Sequence, residues 1–194
     1  MKILMTAVFM AVFVSGVFPA EKLVLFDFEN EHELKAVRPE GEMAVDPWVL
    51  SCEISGEYAT TGSKSLKVLP KAGAKWLVFS KLPVKDWSAY DFIKFDVFSP
   101  VKNRLSLSFV LADWQALPCI EEYKCLGYPV HMKAGVLKYG KQTLEFSLKR
   151  LGTMDSRFMH VEDTRKFAIG FSETTTPFYI DNIRLEKKDP AAEE

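Results

Sequence analysis

Aromatic and polar side chains that could bind a ligand lie together in one stretch of the chain. Trp114 follows the polar residue Asp113, and the next segment, QALPCIEEYKCLGYP (115–129), contains Tyr123 and Tyr128. Exposed aromatic rings offer flat apolar surfaces to a ligand, while neighbouring polar groups form hydrogen bonds with it. The stretch predicts a ligand-binding loop whose contacts are Trp114, Asp113, Tyr123 and Tyr128. The alternative is that these rings are buried, which is usual for aromatic side chains.

Four acids alternate along FDFENEHE (26–33), at Asp27, Glu29, Glu31 and Glu33. A β-strand would place all four on one face. A retaining glycosidase needs two carboxyls about 5 Å apart, one of them with a pKa raised by burial. A row of four acids is more typical of a solvated or ion-bound surface. The sequence also contains no nucleophile elbow, P-loop or dinucleotide fingerprint.

The first twenty residues have the pattern of an export signal. A positively charged start is followed by the apolar run ILMTAVFMAVFV (3–14) and then by small residues. Twelve residues are too few to span a bilayer, which needs about twenty, so a cleaved signal peptide over residues 1–20 is predicted. Cleavage could follow Ala20 or Gly16, and an uncleaved anchor is the alternative. The mature protein is then expected to be secreted or periplasmic, with no membrane segment.

Three cysteines, Cys52, Cys119 and Cys125, fit that compartment. Cys119 and Cys125 stand six residues apart between two prolines, which is loop composition, and export exposes them to oxidation. A local disulfide between them is predicted, and it would stiffen the loop after Trp114. Cys52 lies in the strand-like run VLSCEIS (49–55) and is predicted to be a buried free thiol.

Charge and composition exclude several classes of protein. The chain has 25 Lys and Arg against 26 Asp and Glu, a formal net charge of −1. That balance leaves no electrostatic footprint for nucleic acid or an anionic membrane. Aromatic residues make up 13% of the chain, which excludes disorder and favours β-structure.

Apolar and polar residues alternate with a period of two through most of the chain, as TLEFSL (143–148) illustrates. Turn residues separate the alternating segments, and about nine or ten short strands are predicted. The strand candidates are 23–28, 48–54, 65–69, 75–80, 93–98, 104–113, 143–148, 166–172 and 178–186. Trp48 and Trp76 begin two of them and are assigned to the core, and helical turns are expected at 32–37 and 148–158. The pattern predicts an all-β antiparallel sandwich in one domain, residues 21–186, with a disordered polar tail at 187–194.

Five segments, in this order, resemble a known family. They are LVLFDFE (23–29), ATTGSKSLKV (59–68), DWSAYDFIKFDVFSP (86–100), GKQTLEFSLKRL (140–151) and FYIDNIRLE (178–186). Together they resemble the jelly-roll carbohydrate-binding modules of the galactose-binding-domain-like type, which accompany glycoside hydrolases. The resemblance extends from Leu23 to Glu186. It implies a jelly-roll fold, a packing role for Trp87 and a polysaccharide or glycan as partner.

The resemblance also implies a structural calcium ion where the first and last strands meet. The matching positions are Asp27 and Glu29, backbone oxygens of the turn at 62–64, and Asp181. Ca²⁺ takes six to eight oxygen ligands, which two carboxylates, turn carbonyls and water can supply. The alternative is that Asp27 and Asp181 are solvent-facing strand residues or turn caps.

Three functions follow, in order of preference. The first is a secreted, non-catalytic polysaccharide-binding module, acting with or without a separate glycoside hydrolase. This function predicts a groove with exposed aromatic rings. The second is a small secreted carbohydrate-active enzyme, a glycoside hydrolase or polysaccharide lyase, which predicts a deep cleft with close acids. The third is a structural or protein-interaction sandwich, which predicts a flat apolar patch.

Overall fold

The structure, a computed structural model, describes residues 21–41, 50–70, 74–102, 105–115, 132–152, 157–171, 174 and 176–188. The predicted signal peptide, the predicted loop with Cys119 and Cys125, and residues 189–194 lie outside these residues. The described strands are β1 (Lys22–Phe26), β2 (Val37–Gly41), β3 (Leu50–Ser55), β4 (Ser65–Pro70), β5 (Ala74–Phe79), β6 (Phe92–Ser99), β7 (Leu105–Asp113), β8 (Met132–Leu137), β9 (Gly140–Ser147), β10 (Thr164–Phe171) and β11 (Phe178–Glu186).

The strands form two antiparallel sheets. In the six-stranded sheet the order is β3-β4-β11-β6-β9, and β1 also pairs with β11; in the five-stranded sheet the order is β2-β5-β10-β7-β8. The predicted all-β sandwich is confirmed, and each predicted strand segment overlaps an observed strand. The predictions omit β2 and β8, the two edge strands of the five-stranded sheet. Edge strands tolerate proline and glycine, which make β2 and β8 weak strand sequences.

The core fills the space between the two sheets, because alternate residues of each strand face inward. Aromatic rings dominate it: Phe79 stacks on Phe167 with 4.4 Å between ring centroids, and Phe109 stacks on Phe146 at 4.9 Å. The largest fully buried side chains are Trp87, Phe28, Phe79, Phe95, Phe109, Phe167 and Phe178.

The segment after β1 does not continue as a strand. Phe28 has a φ of 57° and is completely buried, and a 3-10 helix follows at Glu31–Ala36. The helical turn predicted at 32–37 is therefore confirmed. The acids from Asp27 to Glu33 do not form the single row that a continuous strand would give, because the left-handed backbone at Phe28 ends the extended conformation.

The second predicted helical turn, at 148–158, is not a helix in the residues that the structure describes there. Those residues form turns, and an isolated antiparallel bridge joins Gly152 to Phe158. No helix in the described part of the chain is long and apolar enough to cross a membrane.

Trp87 occupies the packing position that the family resemblance implies. Its side chain is completely buried, its indole N–H donates to the carbonyl of Val84 at 3.0 Å, and its backbone N–H donates to Val161. The ring lies 6.0 Å from Phe167. Trp87 thus ties the loop before β6 to the segment before β10.

We expect Trp87→Ala to lower the free energy of unfolding by about 3–5 kcal/mol, because a large buried ring leaves a cavity. Urea denaturation followed by circular dichroism measures the loss. Trp114→Ala is the matched control, since Trp114 is 48% exposed and its removal leaves no internal cavity. Equal losses for the two variants would contradict the placement of Trp87 in the core.

Candidate functional site

The outer face of the five-stranded sheet is defined by the residues that alternate with the core. Leu77 and Phe79 of β5 are fully buried between the sheets, so Trp76 and Val78 face outward. On β10, Ile169 faces the core, and its neighbours Ala168 and Gly170 face outward. The same alternation on β7 turns Ser106, Ser108, Val110 and Ala112 outward. Small side chains therefore cover the middle of this face.

Trp76 lies across that face, over the backbone of β10. Gly170 pairs with Trp76 on one side and with Ser108 on the other. A Cβ atom added at Gly170 would lie 2.5 Å from Cζ3 of Trp76 and 2.3 Å from Oγ of Ser108. Only glycine leaves room for the ring, which lies against the backbone of β10 and is partly buried. The assignment of Trp76 to the core is wrong.

Trp114 stands at the end of the same outward row of β7. Its side chain is 48% exposed, and its ring centroid lies 6.3 Å from that of His160. His160 in turn contacts Glu162, with 2.7 Å between Nδ1 and Oε1. The structure thus places Trp114 at the surface, beside polar side chains that could bind hydroxyl groups.

Asp113 points the opposite way and is completely buried. Its two carboxylate oxygens accept hydrogen bonds from both terminal nitrogens of Arg157, at 2.5 and 2.8 Å. The backbone N–H groups of Gln115 and His160 donate to the same carboxylate at 3.1 Å. A paired, buried carboxylate of this kind fixes the backbone on both sides of Trp114. The geometry favours a positioning role for Asp113 over direct contact with a ligand.

Phe158 is the most exposed large apolar side chain among the described residues, at 74%. Arg157 holds it at this end of the sandwich, because the guanidinium donates to the Phe158 carbonyl as well as to Asp113. The sequence prediction missed Phe158, whose segment carries no strand pattern. Tyr123 and Tyr128 lie outside the described residues, as does the predicted disulfide Cys119–Cys125.

The residues predicted to bind calcium are clamped by hydrogen bonds. Oε1 of Glu29 accepts from the backbone N–H groups of Ser63 and Lys64, both at 2.7 Å, and Oε2 accepts from the Ser63 hydroxyl at 2.9 Å. These donors hold the pKa of Glu29 below its ordinary value. Gly62, with a φ of 62°, makes the approach possible, because an added Cβ would lie 2.4 Å from Oε1.

Asp181, on β11, binds the same turn at Thr60 and Thr61. Its Oδ2 accepts from the backbone N–H groups of Thr60 and Thr61, at 2.6 and 2.9 Å, and Oδ1 accepts from Asn182 at 2.6 Å. The Thr60 hydroxyl bridges Asp181 to Asp96 of β6. The turn therefore joins the first and last strands, as the resemblance implies.

These carboxylates do not fit a calcium site in their present geometry. The turn presents N–H and O–H donors to Glu29 and Asp181, whereas Ca²⁺ requires oxygen ligands free to surround it. No group of three or more His, Cys, Asp or Glu is arranged to hold a metal ion in the described part of the chain. Asp27 accepts from the N–H of Glu29 at 3.2 Å. Calcium binding stays a prediction, and no role below depends on an ion.

Asp27 and Glu33 form a close pair of carboxyls. Burial raises the pKa of Glu33, and the hydrogen bond and charge repulsion from Asp27 raise it further. Oε2 of Glu33 also accepts a hydrogen bond from the backbone N–H of Phe28 at 2.9 Å. The pair ties the 3-10 helix to the end of β1. A shallow polar depression beside it is lined by other residues: Glu29, Asn30, Glu31, His32, Lys35 and Lys64. Neither Asp27 nor Glu33 lines this depression, and their contacts link β1 to the 3-10 helix.

Cys52 is a free thiol, as predicted. Its side chain packs against the core, and burial raises the pKa of the thiol to about 12. At neutral pH it is therefore protonated and unsuited to act as a nucleophile.

The fold is shared with solved carbohydrate-binding modules. A family 11 module from Clostridium thermocellum, in complex with a β-1,3-1,4-mixed-linked tetrasaccharide, has a TM-score of 0.62 and 16% identity, over 86% of this chain and 95% of the module. A module specific for non-crystalline cellulose, of family 28, has a TM-score of 0.58 and 14% identity, over 86% and 94%. An exo-β-agarase has a TM-score of 0.64 and 17% identity, over 86% of this chain and 25% of the agarase.

No family model and no curated protein sequence matches the chain. At identities this low the likeness concerns the fold. It confirms the jelly roll that the five ordered segments imply.

We expect Glu29→Gln to lower the melting temperature at neutral pH, because the variant lacks the charge that the three donors favour. The folded state lowers the pKa of Glu29 below 4.5, so its contribution is complete above pH 4.5 and is lost as the pH falls through the folded-state value. Calorimetry across pH should show the gap between the two proteins closing below pH 4.5. A gap independent of pH would contradict the clamp.

Hydrogen bonds already link the turn to β11 and to the end of β1, so this geometry needs no ion for stability, whereas the calcium prediction requires a higher melting temperature in calcium than in EDTA. Differential scanning fluorimetry with each additive tests this directly. If calcium raises the melting temperature of the wild type but not of Glu29→Gln, the Glu29 carboxylate gives up its hydrogen-bond donors to bind the ion.

Proposed function

We propose that the chain is an exported, non-catalytic protein that binds a polysaccharide on the outer face of its five-stranded sheet. The observation that carries the proposal is the Trp76 ring lying against Gly170 on the outer face of this sheet, partly exposed. A ring held along the surface offers one π-face to a pyranose ring, and Ser108 beside it offers a hydroxyl.

Trp114 provides a second aromatic contact on the same face. Trp114 lies six positions after Ser108 along the chain, or about 20 Å away at the usual rise of a strand. An extended oligosaccharide can reach both rings. The loop directly after Trp114, with Tyr123, Tyr128 and the Cys119–Cys125 pair, is proposed to border that end.

The solved structures with this fold support the class of ligand. One is described as a complex with a mixed-linked tetrasaccharide and another as specific for non-crystalline cellulose. Flat aromatic platforms suit chains whose sugar rings present apolar faces. One further neighbour joins such a module to a family 10 xylanase. We propose that this chain acts beside a separate glycoside hydrolase, and that residues 1–20 direct its export.

We expect Trp76→Ala and Trp114→Ala each to weaken polysaccharide binding about tenfold or more, a loss of roughly 1.4 kcal/mol or above. Affinity gel electrophoresis with mixed-linked β-glucan, non-crystalline cellulose, xylan and agarose measures it. Tyr139→Ala is the matched control, because Tyr139 is 60% exposed but follows β8, at the end of β7 remote from Trp114.

The same incubations should release no reducing ends, since a binding protein leaves the chain intact. Release of product would favour the enzyme alternative and direct attention to the acids. Retention unchanged in both tryptophan variants would show that the ligand binds elsewhere.

A further inference from the structure

A row of side chains crosses the outer face of the six-stranded sheet, on the opposite side of the sandwich. Residues directly paired across five strands supply it, in the order Glu53, Lys67, Tyr179, Phe98 and Lys141. Their neighbours along the strands, including Leu66, Ile180 and Val97, are fully buried in the core, so the row faces outward. At about 4.8 Å between strands, the row is about 19 Å long.

Tyr58 lies over the middle of this row. It belongs to the connection between β3 and β4, and its ring stacks on Phe98 with 3.8 Å between centroids and 11° between planes. The ring also meets the edge of Tyr179 at 4.7 Å. Phe98 covers one face of Tyr58, and yet the residue is 44% exposed. The other face of the ring is therefore open to solvent.

The backbone holds Tyr58 in this position at an energetic cost. Its φ is 54°, in the left-handed region that bulky residues avoid. Such conformations persist where the surrounding contacts impose them, and they are concentrated at sites that bind ligands. The aromatic ring is consequently pre-positioned, which lowers the cost of ordering it on binding.

Polar groups flank the open ring. The Tyr179 hydroxyl donates to Oε2 of Glu57 at 2.6 Å, and Nζ of Lys67 lies 3.2 Å from Glu53 and 3.5 Å from Glu57. The two glutamate side chains are more than half exposed. Their oxygens can accept hydrogen bonds from hydroxyl groups, and Lys67 can donate one.

We propose that Tyr58, with Glu57 and Lys67, forms a second saccharide-binding platform, which takes one pyranose ring of a neutral polysaccharide. The class of ligand rests on the proposed function. Neutrality follows from the balanced charges around the rings, because the row contains Glu53, Lys67 and Lys141 and Glu57 lies beside it. One open ring is far too small for a stable protein interface, which buries about 1,200 Å² or more.

Two platforms on opposite faces make the protein bivalent. One chain could engage two polysaccharide strands, or two segments of one strand, and its retention on a polymer would exceed the affinity of either face. A short oligosaccharide, in contrast, would occupy each platform independently, with two molecules bound per protein.

Tyr58→Asn is the variant that isolates the ring, because asparagine tolerates the left-handed backbone. We expect it to weaken retention on the polysaccharide that the wild type binds by about tenfold or more, with the melting temperature little changed. Tyr58→Phe keeps the ring and should retain binding. The Trp76→Ala/Trp114→Ala double variant should keep a weak residual binding that adding Tyr58→Asn abolishes.

The outcomes separate this proposal from the proposed function. If Tyr58→Asn binds like the wild type while the tryptophan variants do not, the second platform is refuted and the first stands. If Tyr58→Asn lowers the melting temperature without weakening binding, the Tyr58 ring only shields Phe98 from solvent, and the second platform is again refuted. A wild type that binds none of mixed-linked β-glucan, non-crystalline cellulose, xylan and agarose overturns both proposals.

Discussion

The packing of two antiparallel sheets against each other determines both the core and the surfaces of this protein. Strand side chains alternate strictly, so the register that buries Leu77, Phe79 and Ile169 also turns Trp76 outward over Gly170. A slip of one residue in β5 would bury Trp76 and expose two core residues. The stability of the sandwich and the placement of its aromatic platform are thus consequences of one constraint.

Three carboxylates fasten the turn between β3 and β4 to the rest of the fold, and two of them, Asp96 and Asp181, are buried. Asp181, Asp96 and Glu29 attach the 60–64 turn to β11, β6 and the end of β1 through N–H and O–H donors. Each carboxylate removed from water must receive such partners or lose free energy. At the other end Asp113 receives Arg157 in the same manner, and that pair supports Trp114. The exposed rings on both faces therefore stand on rigid supports.

Alternation made most of the strands predictable. It also carried the signal for Trp76: in KWLVFS (75–80) the inward residues are Leu77 and Phe79, and a tryptophan beside them must face outward. The hydrophobicity of Trp76 alone suggested that it lies in the core. The burial of Asp113 depends on Arg157, 44 residues away, and the stacking of Tyr58 depends on two other strands. Contacts at such separations leave no local pattern in the sequence.

The central claim is that a polysaccharide lies on the face that carries Trp76 and Trp114. Each tryptophan gives one indole N–H signal in a ¹H–¹⁵N correlation spectrum, so titration with an oligosaccharide of the bound polymer reads the tryptophans separately. We expect the signals of Trp76 and Trp114 to shift, while that of Trp87, buried and bonded to Val84, stays in place. Binding that leaves the Trp76 and Trp114 signals unmoved would contradict the account.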